Sequence, residues 1–200
     1  MYKTKKIATL ASIALLSSTF SGAALSANMG GSVNVAIIGE ADTLDPMISS
    51  KDVVGTVTQH IYETLFTFDG SWAPAPLLAD GMPDVSGDGL TYTIKIRKGV
   101  NFHDGSSMDS ADVVDSLNRW LSIASRGKSV AGKVDSVSAL DSHTVQIQLN
   151  EVYSPLLSLM SMNNAAAVIY PQENIQGDAL AAPIGTGPYK VNDYKADQYL

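Results

Sequence analysis

The stretch LTYTIKIRKGVNFHDG, residues 90–105, decides how the rest of the chain is interpreted. Apolar and polar side chains alternate from Leu90 to Ile96, and this period of two predicts a strand with one buried and one solvent-facing side. Asp88-Gly89 before it is typical of a tight turn. A short strand is predicted at Val100–Phe102, and His103-Asp104-Gly105 predicts a turn with local side-chain hydrogen bonds.

A helix follows this stretch. Asp109 is a favourable N-cap, and Asp112, three residues later, lies near the positive end of the helix. The apolar positions fall on one helical stripe: Val113, Leu117, Trp120, Leu121 and Ala124. Arg126-Gly127 predicts the end of this helix.

The remaining sequence alternates short strands and helices, without an internal repeat or a low-complexity tract. Strands are predicted at 33–38, 134–140, 143–149, 166–170 and from 189 towards 200, and helices at 53–66 and 155–160. Residues 72–88 are rich in loops. We expect Trp72, Trp120 and Tyr92 to pack in the core or at a hinge rather than to act as stacking platforms. The predicted fold class is α+β, a mixed α/β order.

Composition limits the class of protein. The chain has 200 residues, 45% hydrophobic and 16% charged, which excludes a disordered or coiled-coil protein. It has no cysteine, so neither a disulfide framework nor a cysteine zinc site is possible. A formal net charge of −7 argues against a nucleic-acid partner.

Residues 1–27 have the layout of a secretory signal peptide. Three lysines precede a mildly apolar segment, and small residues cluster before Ala27. Cleavage is expected after Ala27, with Ser26 as the alternative. Removal of the three lysines takes the formal charge from −7 to −10. We expect an exported protein.

The sequence offers little catalytic chemistry. His103-Asp104 resembles half of a metal site, but only two other histidines are present, so we expect no metal and no cofactor. Gly185-Thr186-Gly187 precedes a predicted strand rather than a helix, which favours a tight chain crossing over a phosphate loop. No nucleophile elbow or zinc-protease motif is present. The sequence therefore predicts a protein that is not an enzyme.

Several motifs occur together in one order. They are EADTLDP (40–46), IYETLFTFD (61–69), APAPLLAD (73–80), residues 90–120, VSALDSHTVQIQL (137–149) and PIGTGPYKV (183–191). This series resembles the extracellular solute-binding proteins of family 5, the peptide and nickel class that serves ABC importers. Asp109 and Ala111 stand where the family usually has Thr and Glu, and an Asp N-cap serves equally well. The missing lipid-anchor cysteine points to a Gram-negative periplasm.

The resemblance implies a periplasmic-binding-protein fold with two lobes and an extra subdomain, of which this chain holds only part of the first lobe. By analogy, 28–66 begins the ligand-facing subdomain, 67–182 forms the extra subdomain, and 183–200 returns to the first. The implied partners are a small-molecule or peptide ligand and an inner-membrane ABC permease, and the implied state is a monomer. The ligand class stays open between peptides, nickel chelates, opines and oligosaccharides.

The resemblance also implies ligand contacts in the loop after the first strand, at Glu40, Ala41, Asp42 and Thr43. Exposed backbone there would pair with an extended peptide. The alternative is that Asp42 and Asp45 merely cap the following segment. Two other functions stay open at this point: a secreted hydrolase, or a binding domain reused in a sensor or chaperone.

Overall fold

The computed structural model describes residues 30–195 together with residues 198 and 199. The predicted signal peptide, 1–27, lies outside the described residues. Residues 36–200 form one compact unit, and the described residues that precede it, 30–35, contain no helix or strand.

The secondary structure of the described residues is mixed, in agreement with the predicted class. The α-helices are α1 (Asp52–Thr58), α2 (Ser110–Ile123), α3 (Ser125–Ala131) and α4 (Leu156–Met160), with a 3-10 turn at Gln172–Asn174. The strands are β1 (Phe66–Phe68), β2 (Pro74–Pro76), β3 (Asp84–Val85), β4 (Thr91–Lys95), β5 (Val134–Asp141), β6 (Thr144–Leu149), β7 (Ile175–Gln176) and β8 (Ala179–Leu180).

An antiparallel sheet of order β3-β4-β6-β5 carries one face of the core. Tyr92 pairs with Ile147 and Ile94 with Val145, and all four side chains are buried. The period of two in residues 90–96 is therefore confirmed, because alternate residues of β4 lie on the buried side. Helix α2 packs against β5 and β6 on that side.

The tight turn before β4 is confirmed. Gly89 has φ +73°, a left-handed conformation that suits glycine, and its N–H donates to the carbonyl of Ser86 at 2.8 Å. The strands predicted at 134–140 and 143–149 are also confirmed, as β5 and β6 of an antiparallel hairpin. The two strands are joined by Ser142-His143, one residue later than the turn at Asp141-Ser142 that the sequence predicts.

Helix α2 begins as predicted and ends differently. Asp109 and Asp112 form a capping box in which each side chain accepts a backbone N–H of the opposite residue. The helix ends at Ile123, but Arg126-Gly127 lies inside α3 rather than stopping α2. Gly127 is instead a contact glycine: a Cβ there would lie 1.9 Å from the carbonyl oxygen of Trp120. Only glycine permits the two helices to approach so closely.

The predicted helix over 53–66 was too long. Helix α1 ends at Thr58, and the backbone beyond it bonds to distant segments. Ile61 O accepts from the N–H of Gly187, Glu63 O accepts from Ile169, and Phe66 pairs with Pro76 in the β1–β2 hairpin. These long-range partners outweigh the helical spacing of the apolar residues.

Three predicted strands are not formed as strands. Residues 33–38 are irregular, with no strand partner among the described residues, and Val33 and Ile38 are exposed. Residues 166–170 are buried but make one bridge, Thr64 to Val168. From 189 onward the described residues form a single bridge, between Lys195 and Tyr199. A strand needs a neighbouring strand along its length, and an apolar run alone does not supply one.

Two smaller expectations also change. The strand predicted at 100–102 is reduced to one bridge, Asn101 to Ser107. Trp72 is not in the interior: it is 80% exposed at the tip of the β1–β2 hairpin, with φ +64°. Asp69 holds this tip by accepting from the backbone N–H groups of Ser71 and Ala73.

One hydrophobic core extends through the described residues from Met47 to Tyr170. Its largest fully buried side chains include Trp120, Tyr170 and Phe66. No helix in the described part of the chain has the length and apolar character needed to cross a bilayer.

Candidate functional site

The four predicted ligand residues form a short irregular segment at the surface. Glu40 and Asp42 are exposed, Thr43 is half-buried, and Ala41 is buried. No helix or strand contains them, so their backbone is held by individual contacts rather than by a ladder of hydrogen bonds.

Asp42 pairs with Lys51 across the loop. The carboxylate accepts from the Lys51 ammonium at 2.6 Å, and both side chains are half exposed. This hydrogen bond to Lys51, aided by the charge, lowers the pKa of Asp42. An exposed pair of this kind contributes little to stability, and the two groups stay accessible to a third partner.

Asp45 has the capping role that was considered as an alternative. Its Oδ1 accepts from the N–H of Met47 at 3.0 Å, and its own N–H donates to the hydroxyl of Thr43 at 3.0 Å. These bonds close two successive turns and connect Thr43 with the buried end of the loop.

Tyr194 joins this segment from the far end of the chain. Its hydroxyl donates to a Glu40 carboxylate oxygen at 3.1 Å and lies 3.3 Å from the carbonyl oxygen of Ala41. Sequence reasoning missed Tyr194, because no local pattern connects two positions 154 residues apart.

A buried ion pair lies beneath the segment. Arg119 of α2 contacts Asp45 at 2.5 Å, and the two side chains are 3% and 11% exposed. Burial alone would lower the pKa of Arg119, but the hydrogen bond and charge of Asp45 raise it overall. The charges of Arg119 and Asp45 are therefore paired with each other inside the fold.

Gly185-Thr186-Gly187 forms the predicted chain crossing. A Cβ on Gly185 would lie 2.2 Å from the Ile61 carbonyl oxygen, and one on Gly187 would lie 2.6 Å from that of His60. His103 contacts both glycines of the crossing. Its ring Nε2 lies 2.8 Å from the carbonyl oxygen of Gly187, and its backbone N–H donates to the carbonyl oxygen of Gly185.

The turn at His103-Asp104-Gly105 has the predicted local hydrogen bonds. Asp104 accepts from the N–H of Ser106 at 2.9 Å and from its hydroxyl at 2.7 Å. The described residues contain no group of three His, Cys, Asp or Glu side chains suited to a metal ion.

A polar cleft of about 350 Å³ opens beside α2, on the side of Arg119 that faces the 3-10 turn and β7. Its polar lining includes Asp115, Asn118, Ser122, Gln172 and Asp178. None of the four predicted ligand residues lines it.

Residues 73–200 match the family model described as bacterial extracellular solute-binding proteins, family 5 Middle. The chain belongs to this family. Over 152 residues it is 36% identical to the glutathione-binding protein GsiB of Pectobacterium atrosepticum, covering 74% of this chain and 29% of that protein. The family resemblance and the mixed α/β fold are thus confirmed.

Solved structures of binding proteins share the fold. The binding protein AgaA of A. tumefaciens R10, in complex with agropinic acid, matches with a TM-score of 0.70 and 28% identity, over 79% of this chain and 32% of that one. DppA of Helicobacter pylori, in complex with the peptide STSA, matches with a TM-score of 0.67 and 27% identity, over 76% and 35%. The chain spans about a third of the length of these relatives.

Proposed function

We propose that the complete protein is the periplasmic solute-binding component of an ABC importer. The observation that carries this proposal is the match of residues 73–200 to solute-binding protein family 5. The protein would bind its solute between two lobes and deliver it, without catalysis, to the permease in the inner membrane. The partners are one solute and one permease, and the binding protein acts as a monomer.

The proposed ligand is a dipeptide, an oligopeptide or a related small solute. Glutathione, the peptide STSA and agropinic acid are named for the relatives described above. These molecules are small and polar and bear carboxylates, and they suit a cleft that supplies hydrogen-bond donors and acceptors to an extended molecule.

Lobe closure is the proposed mechanism. Open and closed forms differ by a few kcal/mol, so a ligand that contacts both lobes shifts the population by its differential affinity. Residues 28–66 and 183–200 would supply the ligand-facing part of the first lobe, and 67–182 the extra subdomain.

The proposed contacts of the first lobe are the surface segment Glu40, Ala41, Asp42 and Thr43. The exposed carboxylates of Glu40 and Asp42 support this proposal, since they offer acceptors to an amino group or to peptide N–H groups. The Ala41 carbonyl has Tyr194 Oη as a neighbour at 3.3 Å, so we add Tyr194 to the proposed set.

Thermal-shift and calorimetric titration of the complete encoded protein test the proposal. The probes are reduced glutathione, the peptide Ser-Thr-Ser-Ala, agropinic acid and a nickel–histidine complex. A rise in Tm with one or more probes is expected, because a ligand that binds only the folded state stabilises it. The absence of any shift would count against a binding protein of this class, and hydrolysis of a bound peptide would favour the secreted hydrolase instead.

A further inference from the structure

We propose that Arg119 is a positioning residue for the surface segment 40–43: it fixes the segment from the buried side without touching the ligand. The inference rests on the proposed function for its consequence in ligand binding, but its structural part is independent of that function. Arg119 lies on α2, 74 residues from its partner Asp45 along the chain.

Arg119 and Asp45 form a bidentate ion pair. The two terminal nitrogens lie 2.5 Å and 3.3 Å from separate oxygens of the carboxylate, an arrangement that fixes orientation as well as distance. Both groups are withdrawn from water, so the pair is little screened by salt.

The same guanidinium reaches three further groups. It lies 3.2 Å from the sulfur of Met47, donates to the backbone carbonyl of Asp178 at 2.7 Å, and is 5.4 Å from the ring centre of Tyr170. The Tyr170 hydroxyl in turn donates to Asp45 Oδ1 at 2.8 Å. Arg119 therefore ties α2, the segment after β7 and the loop at 45–47 to one point.

Asp45 passes this restraint to the ligand segment. The Asp45 N–H donates to the hydroxyl of Thr43, which is the nearest of the proposed ligand residues. Asp45, whose carboxylate is held by Arg119, is therefore bonded directly to the segment 40–43. The other side-chain ion pair of the loop, Asp42 with Lys51, is exposed and holds the segment weakly. The buried pair is thus the stronger restraint on where residues 40–43 lie.

The experiment compares Arg119→Met with Leu149→Ala, a truncation on β6 within the buried face of the sheet. Both variants lose stability, and conditions are chosen so that each is fully folded. Hydrogen exchange of the bonded amides of Asp45 and Met47 is expected to accelerate about tenfold or more in Arg119→Met only. A double variant, Asp45→Asn with Arg119→Met, removes the unpaired buried charge, so it regains stability while the amides of residues 45 and 47 still exchange fast.

Titration of the complete encoded protein with glutathione and with Ser-Thr-Ser-Ala gives the functional readout. A probe that binds the wild type is expected to bind Arg119→Met about tenfold more weakly, and Leu149→Ala unchanged. Equal exchange and equal affinity in the two variants would overturn the positioning role. If neither probe binds the wild type, the proposed ligand class fails and the exchange rates alone decide the role of Arg119. If Arg119→Met does not fold, the double variant carries the same comparison.

Discussion

The indole N–H of Trp120 donates to the backbone carbonyl of Ala165 at 2.8 Å. Trp120 is 1% exposed, and Ala165 stands at φ +47°, an uncommon conformation for a residue with a side chain. The bond joins the middle of α2 to the segment that leads into the buried residues 166–170. One side chain thus combines apolar burial with the anchoring of an irregular backbone.

Trp120→Ala should destabilise the fold by roughly 3–5 kcal/mol, because it leaves a large cavity and an unpaired carbonyl. Chemical denaturation followed by circular dichroism measures the change. Trp120→Phe keeps most of the apolar volume and should cost less. A loss below about 1 kcal/mol for the alanine variant would contradict the burial.

Gly127→Ala should destabilise the α2–α3 junction by roughly 1–3 kcal/mol or more, because the added Cβ would meet the Trp120 carbonyl oxygen at 1.9 Å. Gly132→Ala is the matched control. Gly132 is exposed, has φ −64° and has no atom within 4 Å of a built Cβ, so this variant should be neutral or slightly stabilising. Thermal melts of the two variants should differ clearly, and similar melting temperatures would refute the close approach.

Asp109→Ala should cost about 1 kcal/mol through loss of the helix cap. The Asp109 carboxylate accepts from the N–H of Ala111 at 2.8 Å, and alanine leaves that donor without this partner. Asp109→Asn keeps an acceptor and should retain most of the stability. Urea denaturation of the three proteins provides the comparison, and equal midpoints for the alanine and asparagine variants would exclude a capping role.

The Asp104 carboxylate should make the free energy of unfolding decrease at low pH. The hydroxyl and then the N–H of Ser106 hold the pKa of Asp104 below its ordinary value of 3.8. A depressed folded-state pKa contributes stability that is present above the unfolded value and is lost as the pH falls through the folded value. Ser106→Ala should raise the pKa of Asp104 towards 3.8, as measured by NMR titration.

Ser107→Ala controls for the Asp104 experiment. The Ser107 hydroxyl donates to Asn101 rather than to Asp104, so its loss should leave the Asp104 titration in place. An equal change in both variants would show that the turn as a whole, and not the Ser106 hydroxyl, sets the acidity.

Local chemistry accounts for the elements that the sequence predicts well. The cap at Asp109 and the stripe through Trp120 specify α2, and the alternation around Ile94 specifies β4, because each depends on neighbours in sequence. The glycines at 185 and 187 indicated a crossing without naming its partner. By contrast, residues 59–66 have helical spacing, yet tertiary hydrogen bonds to Gly187 and Ile169 draw them out of the helix.

For the candidate site, the sequence predicted only the residues of the surface loop itself and none of the distant residues that contact it. The motif resemblance selects Glu40 to Thr43, but the groups that hold them come from distant sequence. Arg119 resembles an ordinary helix arginine, and Tyr194 lies where a strand was predicted. Contacts that depend on the whole topology leave no periodic pattern in one sequence.

The crossing at Gly185 and Gly187 sets an order of events for a growing chain. His60 and Ile61 find their hydrogen-bond partners, Tyr189 and Gly187, more than 120 residues later. Forming these bonds closes a loop of more than 120 residues, and the chain loses conformational entropy when this loop closes. We therefore expect the hairpins, whose partners lie close in sequence, to form before the His60 and Ile61 carbonyls receive their bonds from residues 189 and 187. Pairing of the two carbonyls would then be a late step that depends on sequence more than 120 residues away.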